Sequence, residues 1–299
     1  MNPSRNAVIA GVMSYVIWGF MPLLFQAMGR AGPDAWEIMT HRVIWGAIAA
    51  GALVLVARQG GEVMTALRSR RTLALLCLSA VLIAINWVIF IWAVNSGRTL
   101  ETSLGYYITP LISMAAGGMM FRERIDGPSR AAMALAAIGV VVQGFAVGHL
   151  PWVSIVLALT FGSYGIVRKR VAADAGPGLF IECLLLLIPA LAWVVWLEAR
   201  GSGHFGATPA ATLWLIAGGP LTVAPLALFA WAARRIPLST MGFLQFVSPT
   251  ISFSVGVAEG EAFTPLRAAS FAFIWAGAGV YAWGAWRRGQ RARVEASVI

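Results

Sequence analysis

Apolar residues run through this chain in ten long blocks, separated only by short polar or basic connections. The blocks span 7–28, 36–57, 72–95, 101–121, 129–147, 152–167, 178–197, 212–233, 237–257 and 266–286. Each meets or approaches the roughly 20 residues that a helix needs to cross the hydrocarbon of a bilayer. The pattern predicts an all-α integral membrane protein of ten transmembrane helices. The connections leave no room for a soluble domain.

Composition agrees with that class. Of 299 residues, 59% are hydrophobic and 11% charged, whereas soluble domains carry about 25% charged residues. The formal charge of +10 would suggest nucleic acid in a soluble protein, but no aromatic–basic binding motif accompanies it. Its placement points to the lipid bilayer instead. With the N-terminus in the cytoplasm, every cytoplasmic connection is basic, and this orientation follows the positive-inside rule. All but five of the 22 Lys and Arg then fall on the cytoplasmic side, the exceptions being Arg30, Arg42, Arg98, Arg200 and Arg267. The expected product is a multi-pass protein of the bacterial inner membrane with both termini cytoplasmic. The first block is too long for a signal-peptide core and lacks a small-x-small cleavage site, so it is expected to remain as the first helix. Cys77 and Cys183 lie inside apolar blocks and have no metal or disulfide spacing.

The two halves of the chain resemble each other. Trp92-Ala93 matches Trp231-Ala232 at an offset of 139, and the same offset carries Tyr107-Ile108-Thr109-Pro110 onto Phe246-Val247-Ser248-Pro249. Thr72-Leu73 pairs with Thr212-Leu213 at 140, Gly32-Pro33 with Gly176-Pro177 at 144, and Gly19 with Gly165 at 146. Five helices per half is an odd number, so the second half (148–299, with a basic cytoplasmic tail) must enter the membrane from the side opposite to the first (1–147). Inverted-topology repeats characterise secondary transporters, with the substrate site near the midplane where the halves meet. Pro110 and Pro249 fall near mid-membrane and deprive the carbonyls of Tyr106 and Gln245 of their partners. These prolines either kink helices around a wet cavity or only set helix shape. Pro22 is a third expected kink.

Several segments carry a family resemblance. Trp18-Gly19-Phe20-Met21-Pro22, Glu37 with Thr40-His41-Arg42-Val43-Ile44-Trp45, Asn86-Trp87, Tyr106 to Pro110, Phe121-Arg122-Glu123-Arg124, Ser163-Tyr164-Gly165, Gln245 to Thr250 and Gly260-Glu261 resemble the RarD-like branch of the EamA transporters. That family belongs to the drug/metabolite transporter (DMT) superfamily. The resemblance implies two five-helix EamA repeats around a cavity open to one side at a time, and export of metabolites. Amino-acid exporters of the YddG type share the architecture.

Polar groups inside the blocks are the candidates for function, because ionisable side chains are costly in hydrocarbon. Glu37 and His41 stand one above the other near the external end of the second helix, and Arg42 lies about 9 Å inside Trp36. Together they form either a zwitterion site, with Arg42 or His41 on a carboxylate and Glu37 on an ammonium, or an ion cluster tying helices together. Glu182 is the repeat-related counterpart of Glu37 and is expected to gate, to bind protons or to cap a helix. Glu101, beside Arg98, is expected to cap the fourth helix. Trp18, Asn86, Tyr106, Tyr107, Tyr164 and Gln245 offer polar tips on largely uncharged surfaces, which suits neutral or zwitterionic solutes. The Ala- and Gly-rich fifth and tenth helices are assigned to scaffold or homodimer contact.

The expected function is a secondary transporter or facilitator of small metabolites, with neutral or aromatic amino acids first among them. A multidrug exporter of the same superfamily is the alternative, weakened by the scarcity of mid-membrane acids. An intramembrane enzyme lacks its motifs: His-Glu-x-x-His and Gly-x-Ser-x-Gly are absent, and His41, His149 and His204 are scattered. No cofactor or metal is expected, and a non-transporting scaffold is the remaining class.

Overall fold

The structure, a computed structural model, describes residues 3–121, 126–147, 150–168, 170–233, 235 and 244–297. Arg122, Arg124, His149, Lys169 and Arg234 lie outside the described residues, as does the side chain of Pro110. Among the described residues there are eleven helices and no strand. They are α1 (Pro3–Arg30), α2 (Ala35–Val56), α3 (Gly60–Arg68), α4 (Arg70–Asn95), α5 (Thr99–Phe121), α6 (Gly127–Val147), α7 (Trp152–Arg168), α8 (Ala175–Ala199), α9 (Pro209–Ala233), α10 (Val247–Ala258) and α11 (Pro265–Ser297).

Local chemistry sets several of these boundaries. The Asp34 carboxylate accepts from the Glu37 amide at 2.8 Å and starts α2, and Ser69 does the same for α4 through the Thr72 amide. Pro209 and Pro265 open α9 and α11, where a missing N–H costs nothing. Gly260 ends the turn after α10 at φ 86°, a left-handed conformation that favours glycine. That turn carries Glu261 back onto the start of α5, where its carboxylate accepts from the Thr99 and Leu100 amides. The fourth apolar block is therefore capped by Glu261 from the other half of the chain. Glu101 instead pairs with Arg98 at 3.0 Å. Burial raises the pKa of Glu261, against the lowering pull of those amides and of Arg267.

Among the described residues, six helices are long and apolar enough to cross a membrane: α1, α2, α4, α6, α8 and α9. Their outer faces carry Leu55, Phe145, Ile188 and Val195 with two-thirds or more of each side chain exposed. A soluble protein does not leave so many large apolar side chains in water. Between α2 and α4 lies the nine-residue α3, with Glu62 and Arg68 at its ends and Met64 and Leu67 exposed.

Close helix contact relies on small residues, as expected where lipid removes the hydrophobic drive between helices. α1 packs on α9 and α10, α2 on α8 and α9, α4 on α7 and α8, α5 on α7 and α10, and α6 on α11. A Cβ on Gly139 of α6 would sit 2.6 Å from Ile274 of α11, and one on Gly277 would sit 3.0 Å from the Ala132 carbonyl. Gly139 of the fifth block and Gly277 of the tenth thus serve this contact within the chain. In the same way Gly19 of α1 lies against Ile251 of α10, and Gly162 of α7 against Ile112 of α5, at 2.7 and 2.8 Å from the built Cβ.

In the ninth apolar block, 237–257, residues 237–243 lie outside the described residues; Leu244 is helical, Gln245 and Phe246 form a turn, and helix resumes at Val247. Pro249 consequently stands in the first turn of α10 rather than in mid-helix. The turn at Gln245 and Phe246 lies directly before it, where Pro249 has no N–H to offer the Gln245 carbonyl. Pro22 does lie inside α1, and further internal prolines occur at Pro189, Pro220 and Pro225.

Candidate solute-binding site

Arg42 is 8% exposed, and side chains from three other helices surround it. Its Nε donates to Thr222 Oγ1 of α9 at 2.6 Å, and Thr222 in turn donates to the Gly218 carbonyl at 2.7 Å. Its guanidinium lies 4.0 Å from the ring centre of Trp87 on α4 and 5.3 Å from that of Phe25 on α1. By helical rise, Arg42, Trp87 and Phe25 all sit about 8–12 Å inside the ends of their helices. They form one layer. Rings extend that layer, from Phe25 to Phe90 at 5.9 Å, to Tyr106 at 5.6 Å and to Phe161 at 5.5 Å.

Glycine makes the arrangement possible. A Cβ on Gly219 would lie 2.3 Å from the Trp45 carbonyl carbon, and one on Gly218 would lie 4.0 Å from Arg42 Cβ. The backbones of α9 and α2 therefore touch here, which brings Thr222 into reach of Nε.

No carboxylate among the described residues lies within salt-bridge distance of Arg42; the acidic partners serve other cations. Burying a charge costs several kcal/mol after relaxation. Stacking on Trp87 returns about 2 kcal/mol when desolvated, and the bond to Thr222 about 1.5–3 kcal/mol. The cation is tolerated, but its terminal nitrogens Nη1 and Nη2 make no hydrogen bond to the described residues.

Glu37 does not join Arg42. Its carboxylate accepts from both the backbone and the ring of His204, at 2.6 and 2.8 Å. His204 belongs to the loop between α8 and α9. The same loop lays Phe205 over His41, stacked at 4.9 Å and 18°, with Trp45 at 6.1 Å. The three α2 positions 41, 42 and 45 fall within about 100° of arc. His41 Nδ1 and Trp45 Nε1 are buried there without a partner.

The other candidates divide into two groups. Asn86 is spent on structure: it donates to the Leu157 carbonyl and Thr160 and accepts from Tyr106, tying α4, α5 and α7 together. Glu182, 1% exposed, takes a 2.5 Å bond from Ser79 and a 3.2 Å bond from Tyr164, with Arg168 Nη1 at 3.7 Å. It lies two turns into α8 and caps nothing. Trp18 packs with Tyr15 and Phe229, far along α1 from the layer of Phe25. Tyr107 is 1% exposed and bonded to Thr250, and Gln245 is half-buried before α10. Of the ten candidates, Trp18, His41, Arg42 and Gln245 keep polar side-chain atoms without a hydrogen bond among the described residues, and of these Arg42 and His41 are buried. Thr222, Phe25, His204 and Phe205 were not among the ten, because nothing in their own segments marks them apart from ordinary membrane-helix and loop residues, and Trp87 entered only through the resemblance of Asn86-Trp87.

Two clefts flank this layer. One, of about 220 Å³, lies among Asp34, Trp36, Val88, Trp92 and Trp152. The other, of about 230 Å³, opens among Leu53, Gln59, Gly176, Leu226 and Arg235, and Leu226 is one turn from Thr222.

A chain with these helices and a buried cation between them has known relatives. The EamA-like transporter family model matches residues 5–144. An uncharacterized transporter of Pseudomonas aeruginosa is 41% identical over 95% of this chain and 95% of its own length. The chain belongs to the EamA family, in its RarD-like branch. RarD of Streptomyces exfoliatus is 38% identical over 99% of this chain and 95% of its own, and RarD of Escherichia coli is 38% identical over 93% and 94%. This RarD-like protein is also similar in fold to a solved crystal structure, with a TM-score of 0.62 and 17% identity over 95% of this chain and 98% of the other. It is thus a multi-pass membrane protein of a bacterial transporter family.

Proposed function

We propose that this protein is a secondary transporter that moves small organic solutes across the bacterial inner membrane by alternating access. The proposal includes two inverted five-helix repeats, 1–147 and 148–299, with both termini cytoplasmic. The helix pairing carries it. Exchange α1 with α7, α2 with α8, α4 with α9, α5 with α10 and α6 with α11. The most extensive packed pairs then map onto one another: α1–α9 becomes α7–α4, α1–α10 becomes α7–α5, and α2–α9 becomes α8–α4. Two interchangeable halves provide two equivalent closures, which is what rocking around a central site requires.

Small carboxylates with an apolar body are the solute class for this reading, since Arg42 suits a carboxylate and the ring layer suits an apolar group; neutral and aromatic amino acids, the first expectation, are matched at the carboxylate and side chain alone. Glu37 drops out as the ammonium anchor, being held by His204. Cationic drugs are disfavoured for the same reason, as Glu37 and Glu182 are both engaged. The cleft reaching from the Arg235 end toward Thr222 gives a route from the basic side, while the loop carrying His204 and Phe205 covers the other.

Reconstitution tests the reading. Proteoliposomes loaded with an unlabelled solute should take up its labelled form by counterflow, without ATP. Rates equal to those of empty liposomes for every small acid, amino acid and amine offered would sink it.

A further inference from the structure

We propose that Arg42 binds the carboxylate of a solute that carries a net single negative charge on a flat apolar body; this rests on the transport reading. Three observations lead there. First, the guanidinium is buried with no carboxylate of the described residues beside it, which calls for a countercharge from a ligand. Second, it is already oriented. Thr222 takes Nε and Trp87 takes one face, which leaves Nη1 and Nη2 side by side without partners. Two parallel N–H donors match the two oxygens of a carboxylate. Third, the rest of the layer is rings: Trp87, Phe25, Phe90 and Tyr106. Such walls receive an apolar, planar group and offer nothing to a second charge.

The charge balance selects among acids. A dianion such as a phosphate monoester would bring two charges to one cation. A zwitterion would bring an ammonium, and the nearby carboxylate that could receive it is clasped by His204 at 2.6 and 2.8 Å. A monocarboxylate leaves neither charge unmatched. His41 and Trp45, on the same arc of α2, hold unpartnered ring nitrogens that suit a polar substituent on the solute.

Binding to the purified protein in detergent tests this independently of flux. Thermal shift titrations would use phenylacetate, its amide, phenylethylamine, phenylalanine and phenyl phosphate. Phenylacetate should stabilise the wild type, and its amide should bind at least tenfold more weakly. Arg42→Gln should abolish the phenylacetate response. Arg42→Lys keeps the charge but loses the fork, and should weaken it about tenfold. Thr222→Val, which frees Nε without removing the charge, should weaken it as well and covers the case in which Arg42→Gln does not fold. Equal binding of acid and amide, or tighter binding of phenylalanine or phenyl phosphate than of phenylacetate, would overturn the proposal. So would undiminished phenylacetate binding in Arg42→Lys and Thr222→Val. Counterflow of amines or neutral solutes without carboxylate binding would sink this inference and leave the transporter standing. Carboxylate binding without any counterflow would do the reverse.

Discussion

Tyr107 and Phe246 stand 139 residues apart at matched positions of the two halves, and their rings stack on each other at 6.3 Å and 22°. Equivalent positions of a two-fold repeat meet each other only beside the axis that relates them. The Tyr107 hydroxyl adds a 2.5 Å bond with Thr250 and accepts from Trp275 Nε1 at 3.0 Å. Ser103 of α5 donates to the Pro249 carbonyl of α10 at 2.6 Å. These two helices are therefore held face to face with no solute path between them at this level.

Tyr107→Phe should lower stability by about 1–3 kcal/mol, since it leaves Trp275 and Thr250 without a shared partner. Transport per folded molecule should stay near wild type. A cysteine at Tyr107 should resist water-soluble thiol reagents. Rapid labelling slowed by substrate would instead place Tyr107 on the solute path, as the sequence first suggested.

Gly219→Ala should damage both packing and binding. Its new Cβ would meet Trp45 and Gly46 backbone atoms at 2.3 and 2.6 Å, which α2 cannot yield without moving. Overpacking of this kind costs about 1–3 kcal/mol, and any separation of α9 from α2 draws Thr222 away from Arg42. Gly60→Ala has nothing within 4 Å of its Cβ and is the matched control. Solute binding should weaken in the first and not in the second.

Much of the fold was legible in the sequence, because a membrane helix announces itself by length and composition alone. The apolar blocks behind the described helices, and Arg42 inside one of them, were visible. Partnerships were not. Glu37 and His41 were read as one cluster because they sit four apart on α2, but Glu37 found its partner 167 residues away in His204. Block 237–257 looked continuous, whereas a turn at Gln245 and Phe246 separates Leu244 from α10. Trp87 and Thr222 matter through their distance to Arg42, and no local pattern encodes that distance.

Topology has a direct test. Single cysteines at Gly60, exposed at the start of α3, and at Ser202, exposed in the α8–α9 loop, lie at the two ends expected to face opposite sides. An impermeant reagent applied to intact cells should label Ser202→Cys, and Gly60→Cys only after permeabilisation. Labelling of both from the same side would remove the inverted arrangement.

The clasp between Glu37 and His204 should control access from the outer side. Both oxygens of one buried carboxylate are engaged by one loop residue, and the neighbouring Phe205 rests on His41. The loop has few other side-chain ties: Ser202 bonds the Leu197 carbonyl, and the Gly206 amide donates to Thr212. Hydrogen bonds to a charged group contribute about 1.5–3 kcal/mol, so Glu37→Gln should raise the open population of the loop roughly tenfold or more. His204→Ala removes only the ring contact and keeps the backbone amide, so its effect should be smaller. The readout is the labelling rate of a cysteine at Phe205 or His41 by an impermeant reagent from outside. The predicted order is Glu37→Gln fastest, His204→Ala intermediate and wild type slowest. Equal rates in all three would mean that the loop is held by its packing, with the clasp contributing nothing to closure.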